Sequence, residues 1–221
     1  MLRRADVVDG AIALLDDEGL DGLTTRKLGA ALNVQGPALY RHFPSKEALL
    51  DAMADRLLEP VAAPLPDGPW DEKLALLAGR LRSALLAHRD GARVVAGTYV
   101  TGPNTRLVEN TILKTLQAAG HPADRAGWAA FAISYYVLGH SIEEQAQARL
   151  SATGDWTSRK RALIQHPDPD YAHTALTKVF DADPAERFDY GIRLLLKGIR
   201  HELHHATPKT TSHRPPENRA Q

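Results

Sequence analysis

The stretch that decides the fold is residues 23–50, LTTRKLGAALNVQGPALYRHFPSKEALL. Its apolar residues fall at three- and four-residue steps in two short runs, which predicts two short helices. Thr24 or Thr25 can cap the first helix, and Pro37 suits the first turn of the second. Small residues at the join, Gly29 among them, allow the two helices to cross closely. The stretch therefore predicts a helix-turn-helix.

The same stretch is basic, although the residues around it are acidic. Residues 1–58 hold seven Lys/Arg and nine Asp/Glu. From Gly22 through Lys46 there is no acid, while Arg26 and Arg41 also fall in this window. A local basic patch is typical of a surface that faces phosphates, and a chance gap in the acids is the alternative.

A helix-turn-helix reads DNA with the N-terminal half of its second helix, which enters the major groove. Glutamine matches an adenine edge and arginine a guanine edge, whereas hydroxyl groups and cations suit phosphates. The residues expected at base edges are Gln35, Gly36, Pro37, Ala38 and Arg41. The residues expected on the DNA backbone are Thr24, Thr25, Arg26, Tyr40, His42 and Lys46. Double-stranded DNA is therefore the expected partner of this part of the chain.

Helical spacing continues over most of the chain, so the predicted fold class is all-α. The expected organisation is a three-helix domain with its helix-turn-helix at 1–58, a junction with four prolines at 59–69, a larger helical domain at 70–205 and a disordered tail at 206–221. Within the larger domain, helices are expected at 70–88 and near 91–97, 104–119, 124–149, 170–181 and 185–205. The stretch 151–169 lacks clean periodicity and is expected to be a loop.

Composition excludes several other classes of protein. The chain has no cysteine, which excludes disulfides and thiolate metal sites. It has neither an N-terminal signal stretch nor a run of eighteen apolar residues, so no membrane span is predicted and a cytoplasmic protein is the default expectation. The sequence predicts no cofactor.

Residues 4–58 strongly resemble the DNA-binding domain of the tetracycline-repressor (TetR) family. The family signature Leu-Tyr-x-His-Phe-x-x-Lys-x-x-Leu stands here from Leu39 to Leu49. Residues 89–92, 97–98, 138–139 and 143–145 resemble, more weakly, the regulatory domain of the tetracycline repressor itself. The resemblance implies a homodimer that binds a near-palindromic operator and is usually released from it by an effector in the regulatory domain.

The same resemblance argues against magnesium–tetracycline as the effector. Aligned on residues 89–91, Val95 stands where the repressor has its metal-binding histidine, and Leu77 and Leu81 replace a drug-contacting asparagine and phenylalanine. Glu143 does match the acid that holds the metal through water. A hard cation needs several ligands placed together, so one carboxylate without its imidazole partner makes a poor site. No metal site is predicted.

These substitutions run from polar to apolar, which favours a mostly hydrophobic organic effector. The candidate lining residues are Leu77, Leu81, Val95, Thr98, Thr111, Trp128, Phe131, His140 and Glu143. The alternative for the apolar ones is that they belong to an ordinary core. His140 and Glu143 share a helix face, so they form either a polar ligand site or a buried contact with each other.

By the same resemblance, the dimer interface is a four-helix bundle built from helices 124–149 and 185–205 of each subunit. The expected interlocking residues are Ala129, Ala130, Ala132, Leu194, Leu195, Leu196 and Ile199. Without a partner they would form exposed apolar surface.

Residues 201–205, HELHH, match the zinc-protease pattern H-E-x-x-H. A catalytic zinc needs a third protein ligand, and only His213 and Glu217 follow. Histidines in the last turn of a helix also interact favourably with its dipole, which is a sufficient structural reason for them. We therefore expect no enzyme activity here, although adventitious binding of nickel or zinc remains an open alternative.

A second alternative is a member of the family that has lost DNA binding and serves as an interaction module or a ligand carrier. Such a chain would lack the cations that face the groove. Arg26, Lys27, Arg41 and Lys46 are all present, which favours DNA binding.

Overall fold

The structure, a computed structural model, describes residues 2–98, 101–165 and 173–205. These ranges contain eleven α-helices, one short 3₁₀ turn and no strand, which confirms the all-α prediction. The helices are α1 (Arg4–Gly22), α2 (Thr25–Ala31), α3 (Gly36–Tyr40), α4 (Lys46–Leu57), α5 (Trp70–Leu86), α6 (Gly91–Ala96), α7 (Pro103–Ala118), α8 (Ala123–Ala152), α9 (Trp156–Ile164), α10 (His173–Asp181) and α11 (Pro184–His205), and the 3₁₀ turn is Glu59–Ala62. Within these ranges, no helix is both long and apolar enough to cross a membrane. The predicted disordered tail lies outside the described residues.

Local signals explain where the first four helices begin and end. Gly19 interrupts α1 with φ 74°, a left-handed conformation that glycine adopts without strain. The Thr24 hydroxyl accepts a hydrogen bond from the Lys27 amide at 3.3 Å, and the Ser45 hydroxyl accepts one from the Ala48 amide at 3.2 Å. These two bonds cap α2 and α4 by satisfying amides that have no partner within their own helix.

A tight turn joins α2 to α3. Asn33 lies in the left-handed region with φ 53°, and the Val34 amide donates to the Gly29 carbonyl at 2.8 Å. A Cβ at Gly29 would lie 2.8 Å from the Val34 carbonyl oxygen, so the turn closes only over a glycine. Leu28 and Leu39 are buried beneath the turn, which completes the predicted helix-turn-helix.

The described residues form two hydrophobic cores, with α6 between them. The first core joins α1–α4, and the second joins the 3₁₀ turn to α5, α7, α8 and α11. Val94 of α6 belongs to the first core, whereas Ala92 of the same helix belongs to the second. Val61, in the proline-rich segment, is fully buried in the second core. Helix α4 of the first core and helices α5 and α8 of the second core therefore both pack against this one short helix.

The prediction of a loop over 151–169 is wrong for most of that range. Residues 151–152 finish α8, and Trp156–Ile164 form α9. None of the α9 residues is buried, which is why no apolar stripe shows in the sequence. Helix α9 packs against α10, where the rings of Trp156 and Phe180 meet edge to face with their centres 5.7 Å apart.

Candidate DNA interface and regulatory site

The helix-turn-helix exposes most of the predicted DNA-binding residues to solvent. Tyr40 is 54% exposed although it is a large aromatic residue. The other exposed members of the predicted set are Thr24, Arg26, Gln35, Pro37, Arg41 and Lys46. The half-buried members are Thr25, Gly36, Ala38 and His42. An exposed tyrosine beside cations suits a nucleic-acid surface better than a core.

Four of the residues predicted to hold the DNA backbone line one shallow cleft. Thr24 and Thr25 come from the start of α2, Tyr40 from the end of α3 and Lys46 from the start of α4. Hydroxyl groups, an ammonium group and the free amides of helix starts are the donors that bind phosphate. The tertiary structure thus brings polar side chains from three sequence segments to the rim of one cleft, whose other lining residues are mostly apolar.

Two cations near this surface have roles that the sequence did not reveal. Lys27 was counted among the groove-facing cations, but its ammonium pairs with Glu18 of α1 at 2.9 Å. Arg4 was not predicted to contribute. Its guanidinium donates to the His42 carbonyl at 2.8 Å and lies 4.1 Å from the ring centre of Phe43. Arg4 therefore holds the end of the recognition helix in place.

Polar contacts tie α1 to the turn between α5 and α6. Asp16 accepts from the Arg89 amide at 2.9 Å and lies 2.9 Å from His88 Nδ1. Asp90 is buried, has a left-handed φ of 57° and accepts from the Leu20 amide at 3.0 Å. Although burial opposes its charge, the Leu20 amide and two arginines hold the pKa of Asp90 below its usual value. The two cores are thus joined by ion pairs and by hydrogen bonds, whose strength depends on their orientation.

Gln145 of α8 holds the same turn from the other side. Its side-chain amide donates to the carbonyls of Leu85 at 3.0 Å and His88 at 2.8 Å, and its oxygen accepts from the Ala92 amide at 3.3 Å. The residue is buried, and its side-chain amide pairs with backbone groups at the end of α5, in the turn and at the start of α6.

The structure does not gather the predicted effector-lining residues into one cavity. Leu77 and Leu81 are 3% and 6% exposed and lie in the second core, with Val95 packed beside them. Thr98 and Thr111 use their hydroxyls locally, donating to backbone carbonyls three or four residues earlier. The remaining members lie elsewhere: Trp128, Phe131 and Glu143 are exposed, and His140 is half-buried.

His140 belongs to a polar cluster that the sequence did not predict. Its nearest acid is Glu144, at 3.6 Å from Nδ1, and not Glu143, whose side chain is exposed. Glu144 receives a two-pronged ion pair from Arg82 at 2.8 and 2.6 Å, and the rings of His140 and Phe188 meet edge to face at 5.3 Å. Burial lowers the pKa of His140, so the imidazole is held neutral.

An open groove of about 630 Å³ lies beside this cluster, between α5 and the start of α11. Arg82 and Phe188 form part of its wall, together with Gly79 and Ser83. The volume is within the range of small-molecule sites, and apolar atoms dominate the lining.

One side of α8 and α11 is an exposed apolar face. It consists of Trp128, Phe131, Tyr135, Tyr190 and Leu194, and each is more than half exposed; Trp128 reaches 76%. Leu196 and Ile199, which were expected at a subunit interface, are instead buried in the chain's own second core. An aromatic face of this size is unusual on a monomer and marks an interaction surface.

The H-E-x-x-H residues occupy the last turn of α11. Glu202 lies 3.9 Å from Arg125. Among the residues that the structure describes, no group of three His, Asp or Glu side chains is arranged to hold a metal ion.

A helix-turn-helix with an exposed second helix, joined by polar contacts to a second helical domain, is typical of a DNA-binding regulator with a separate regulatory domain. Comparison with known proteins specifies the family. Residues 7–53 match the bacterial regulatory proteins of the tetR family, and residues 63–203 match the tetracyclin repressor-like C-terminal domain. The chain belongs to the TetR family of transcriptional regulators.

Individual relatives agree over nearly the whole chain. The tetracycline repressor protein class G of Vibrio anguillarum is 45% identical over 201 residues, which cover 90% of this chain and 93% of the relative. The class C repressor of Escherichia coli is 38% identical over 202 residues, with 90% of each chain covered. These relatives are regulators and not enzymes.

Solved structures give the same result. A possible TetR family transcriptional regulator from Streptomyces coelicolor A3(2) superimposes with a TM-score of 0.77 at 39% identity, covering 90% of this chain and 99% of that one. BioQ, solved with its double-stranded DNA operator, has a TM-score of 0.68 at 28% identity, covering 91% and 99%.

Proposed function

We propose that this chain is a homodimeric repressor that leaves a near-palindromic operator when a mostly hydrophobic small molecule binds its second domain. The observation that carries the proposal is the cleft in which Thr24, Thr25, Tyr40 and Lys46 converge beside an exposed recognition helix. In this proposal residues 1–58 bind DNA, residues 70–205 bind the ligand and form the dimer, and residues 59–69 are the junction. The relatives are regulators, and we propose that this chain likewise has no catalytic activity and acts at DNA in the bacterial cytoplasm.

At the operator, α3 enters the major groove. Gln35, Gly36, Pro37 and Ala38 lie at its start and Arg41 follows its end. Glutamine and arginine make paired hydrogen bonds to adenine and guanine edges, while the small Gly36 and Ala38 let the helix approach closely and leave part of the recognition to DNA shape. The cleft residues, with Arg26 and His42, then fix the register on the phosphates.

The exposed apolar face of α8 and α11 pairs two chains. A second copy buries the same face on both subunits, since a two-fold interface is self-complementary. Such a dimer presents two recognition helices, and their separation selects the spacing of the half-sites.

Magnesium–tetracycline is not the effector that we propose. In the alignment with the tetracycline repressor, Val95 stands at the position of the repressor's metal-binding histidine. Leu77 and Leu81 are apolar and buried. A mostly apolar molecule would enter by displacing these side chains or by using the groove beside Arg82. Effector binding shifts the population between two spacings of the recognition helices, in proportion to its preference for one of them.

The deciding experiment is selection of binding sites from a random DNA pool with the purified full chain. The expected result is a two-fold-symmetric consensus with half-sites about one helical turn apart. A consensus with a single, asymmetric half-site would remove the dimeric part of the proposal. If folded protein enriched no sequence even at low salt, DNA binding itself would be refuted. If a palindrome is recovered, it becomes the probe for an effector screen.

A further inference from the structure

We propose that Asp55 is a positioning residue for DNA binding: from α4, its carboxylate caps the first turn of α7 and so sets the angle at which α4 carries the DNA-binding domain. The inference rests on the proposed function, because this angle matters when two recognition helices must match one operator.

The contact is a set of four hydrogen bonds between two helices that are far apart in sequence. Asp55 Oδ1 accepts from the Thr105 amide at 3.0 Å and from the Thr105 hydroxyl at 3.1 Å. The Asn104 side-chain amide donates to Asp55 Oδ2 at 3.2 Å and to the Asp55 carbonyl at 3.0 Å. We call these four bonds the α4–α7 latch.

The latch has the chemistry of a helix cap supplied by another helix. Thr105 is the third residue of α7, and its amide has no acceptor within α7. A negative charge also interacts favourably with the positive end of a sixteen-residue helix. Asp55 therefore supplies what a cap residue in α7's own sequence would supply, since the residue at that position is Gly102 and has no side chain.

The backbone is shaped to admit this carboxylate. A Cβ at Gly102 would overlap the Asp55 carboxylate, so any larger residue there would push the two helices apart. Glycine at this position and aspartate at residue 55 thus form a matched pair.

The latch joins elements that belong to different cores. Met53 and Leu57 of α4 lie in the first core, which holds the helix-turn-helix, whereas Val108 and Ile112 of α7 lie in the second. Thr98, one of the predicted effector-lining residues, precedes Gly102 by four positions. A ligand that displaces the start of α7 would therefore pull on α4 through the latch.

The first test measures the distance between the two domains directly and needs neither DNA nor an effector. Because the chain has no cysteine, spin labels can be placed at two exposed positions, Ala31→Cys at the end of α2 and Lys114→Cys on α7. Labelled chain mixed with excess unlabelled chain gives one label pair per dimer. Pulsed electron paramagnetic resonance should show one narrow distance distribution for the parent and a broader or displaced one for Asp55→Ala.

Controls separate the latch from charge and from folding. Asp51→Ala removes the same charge from an exposed position on the same helix and should leave the distribution unchanged. Gly102→Ala keeps the carboxylate but blocks its approach, and should reproduce the effect of Asp55→Ala. If Asp55→Ala fails to fold, Gly102→Ala and Asp55→Leu, whose side chain is of similar shape but has no acceptor, take its place. A parent-like distribution in the latch variants would overturn the proposal.

The second test uses the palindromic duplex recovered by selection and a duplex that contains one half-site. A helix cap changes the equilibrium between the capped and uncapped forms by about fivefold. Because the dimer has one latch in each subunit, losing both should weaken binding to the palindrome by roughly tenfold or more. Binding to the single half-site should change by less than about twofold, since each recognition helix is intact. Equal losses on both duplexes would assign Asp55 a general folding role and contradict positioning. If selection yields no palindrome, the proposed function fails, and the label distances alone decide the role of Asp55.

Discussion

Gln145 allows a quantitative prediction about the junction between the two domains. In Gln145→Leu, the His88 carbonyl keeps its bond from the Gly91 amide at 3.0 Å, but the Leu85 carbonyl and the Ala92 amide lose the side-chain partner that they have now. Each buried backbone group left unpaired costs about 1–3 kcal/mol, so the free energy of unfolding should fall by about 3 kcal/mol. For a chain of this length, that loss corresponds to a melting temperature lower by roughly 6–12 °C.

The assay is thermal unfolding followed by circular dichroism at one fixed protein concentration, because dimerisation makes the melting temperature depend on concentration. Gln117→Leu, at an exposed position of α7, is the matched control and should change the melting temperature little. If Gln145→Leu melts no lower than this control, the Gln145 amide does not stabilise the turn, and the reasoning from unpaired backbone groups is refuted.

Four further predictions concern the DNA interface, the dimer and the imidazole of His140. Arg41→Ala should relax base preference at one operator position in repeated site selection, whereas uniform weakening on all sequences would make Arg41 a phosphate contact. Lys46→Ala should weaken binding to every sequence and flatten the slope of log affinity against log salt by about one, and an unchanged slope would remove Lys46 from the interface. Phe131→Glu should convert the dimer to a monomer in sedimentation velocity, because it places a charge in the apolar face. If the variant stays dimeric, the apolar face of α8 and α11 is not the dimer interface. Burial lowers the pKa of His140 in the folded chain, so as pH falls through about 6.5 the unfolded chain binds the proton first and stability declines. In urea unfolding at a series of pH values, His140→Gln should show a smaller loss of stability between about pH 7 and about pH 5 than the parent, and an equal loss would refute the assignment.

Much of the DNA-binding half was predictable because its signals are local. Thr24 and Ser45 cap helices whose amides they reach within three residues, and the turn between α2 and α3 needs glycine at residue 29 for a backbone contact five residues away. Such short-range constraints leave their record in neighbouring letters of the sequence. The recognition helix could therefore be placed without the tertiary structure.

The regulatory half was less predictable because its polar contacts cross between helices. His140 was assigned to Glu143 from helix spacing, but packing turns the next residue, Glu144, toward Arg82 and the imidazole. Helix α9 has no buried face and was missed. Trp128 shows the same limit, since helical spacing cannot distinguish an inward-facing aromatic residue from one that faces a second subunit.

The sequence by itself determined the helix-turn-helix, the all-α class and the family, because capping, turn geometry and apolar spacing act over a few residues. Only the tertiary structure decided which charges meet. It paired Lys27 with Glu18, joined Asp90 to α1, and set Asp55 against the start of α7. The partners in these contacts are nine to seventy residues apart in the sequence. Their strength depends on distance, orientation and burial, which follow from the packing of whole helices. Such contacts produce no periodic pattern in the sequence.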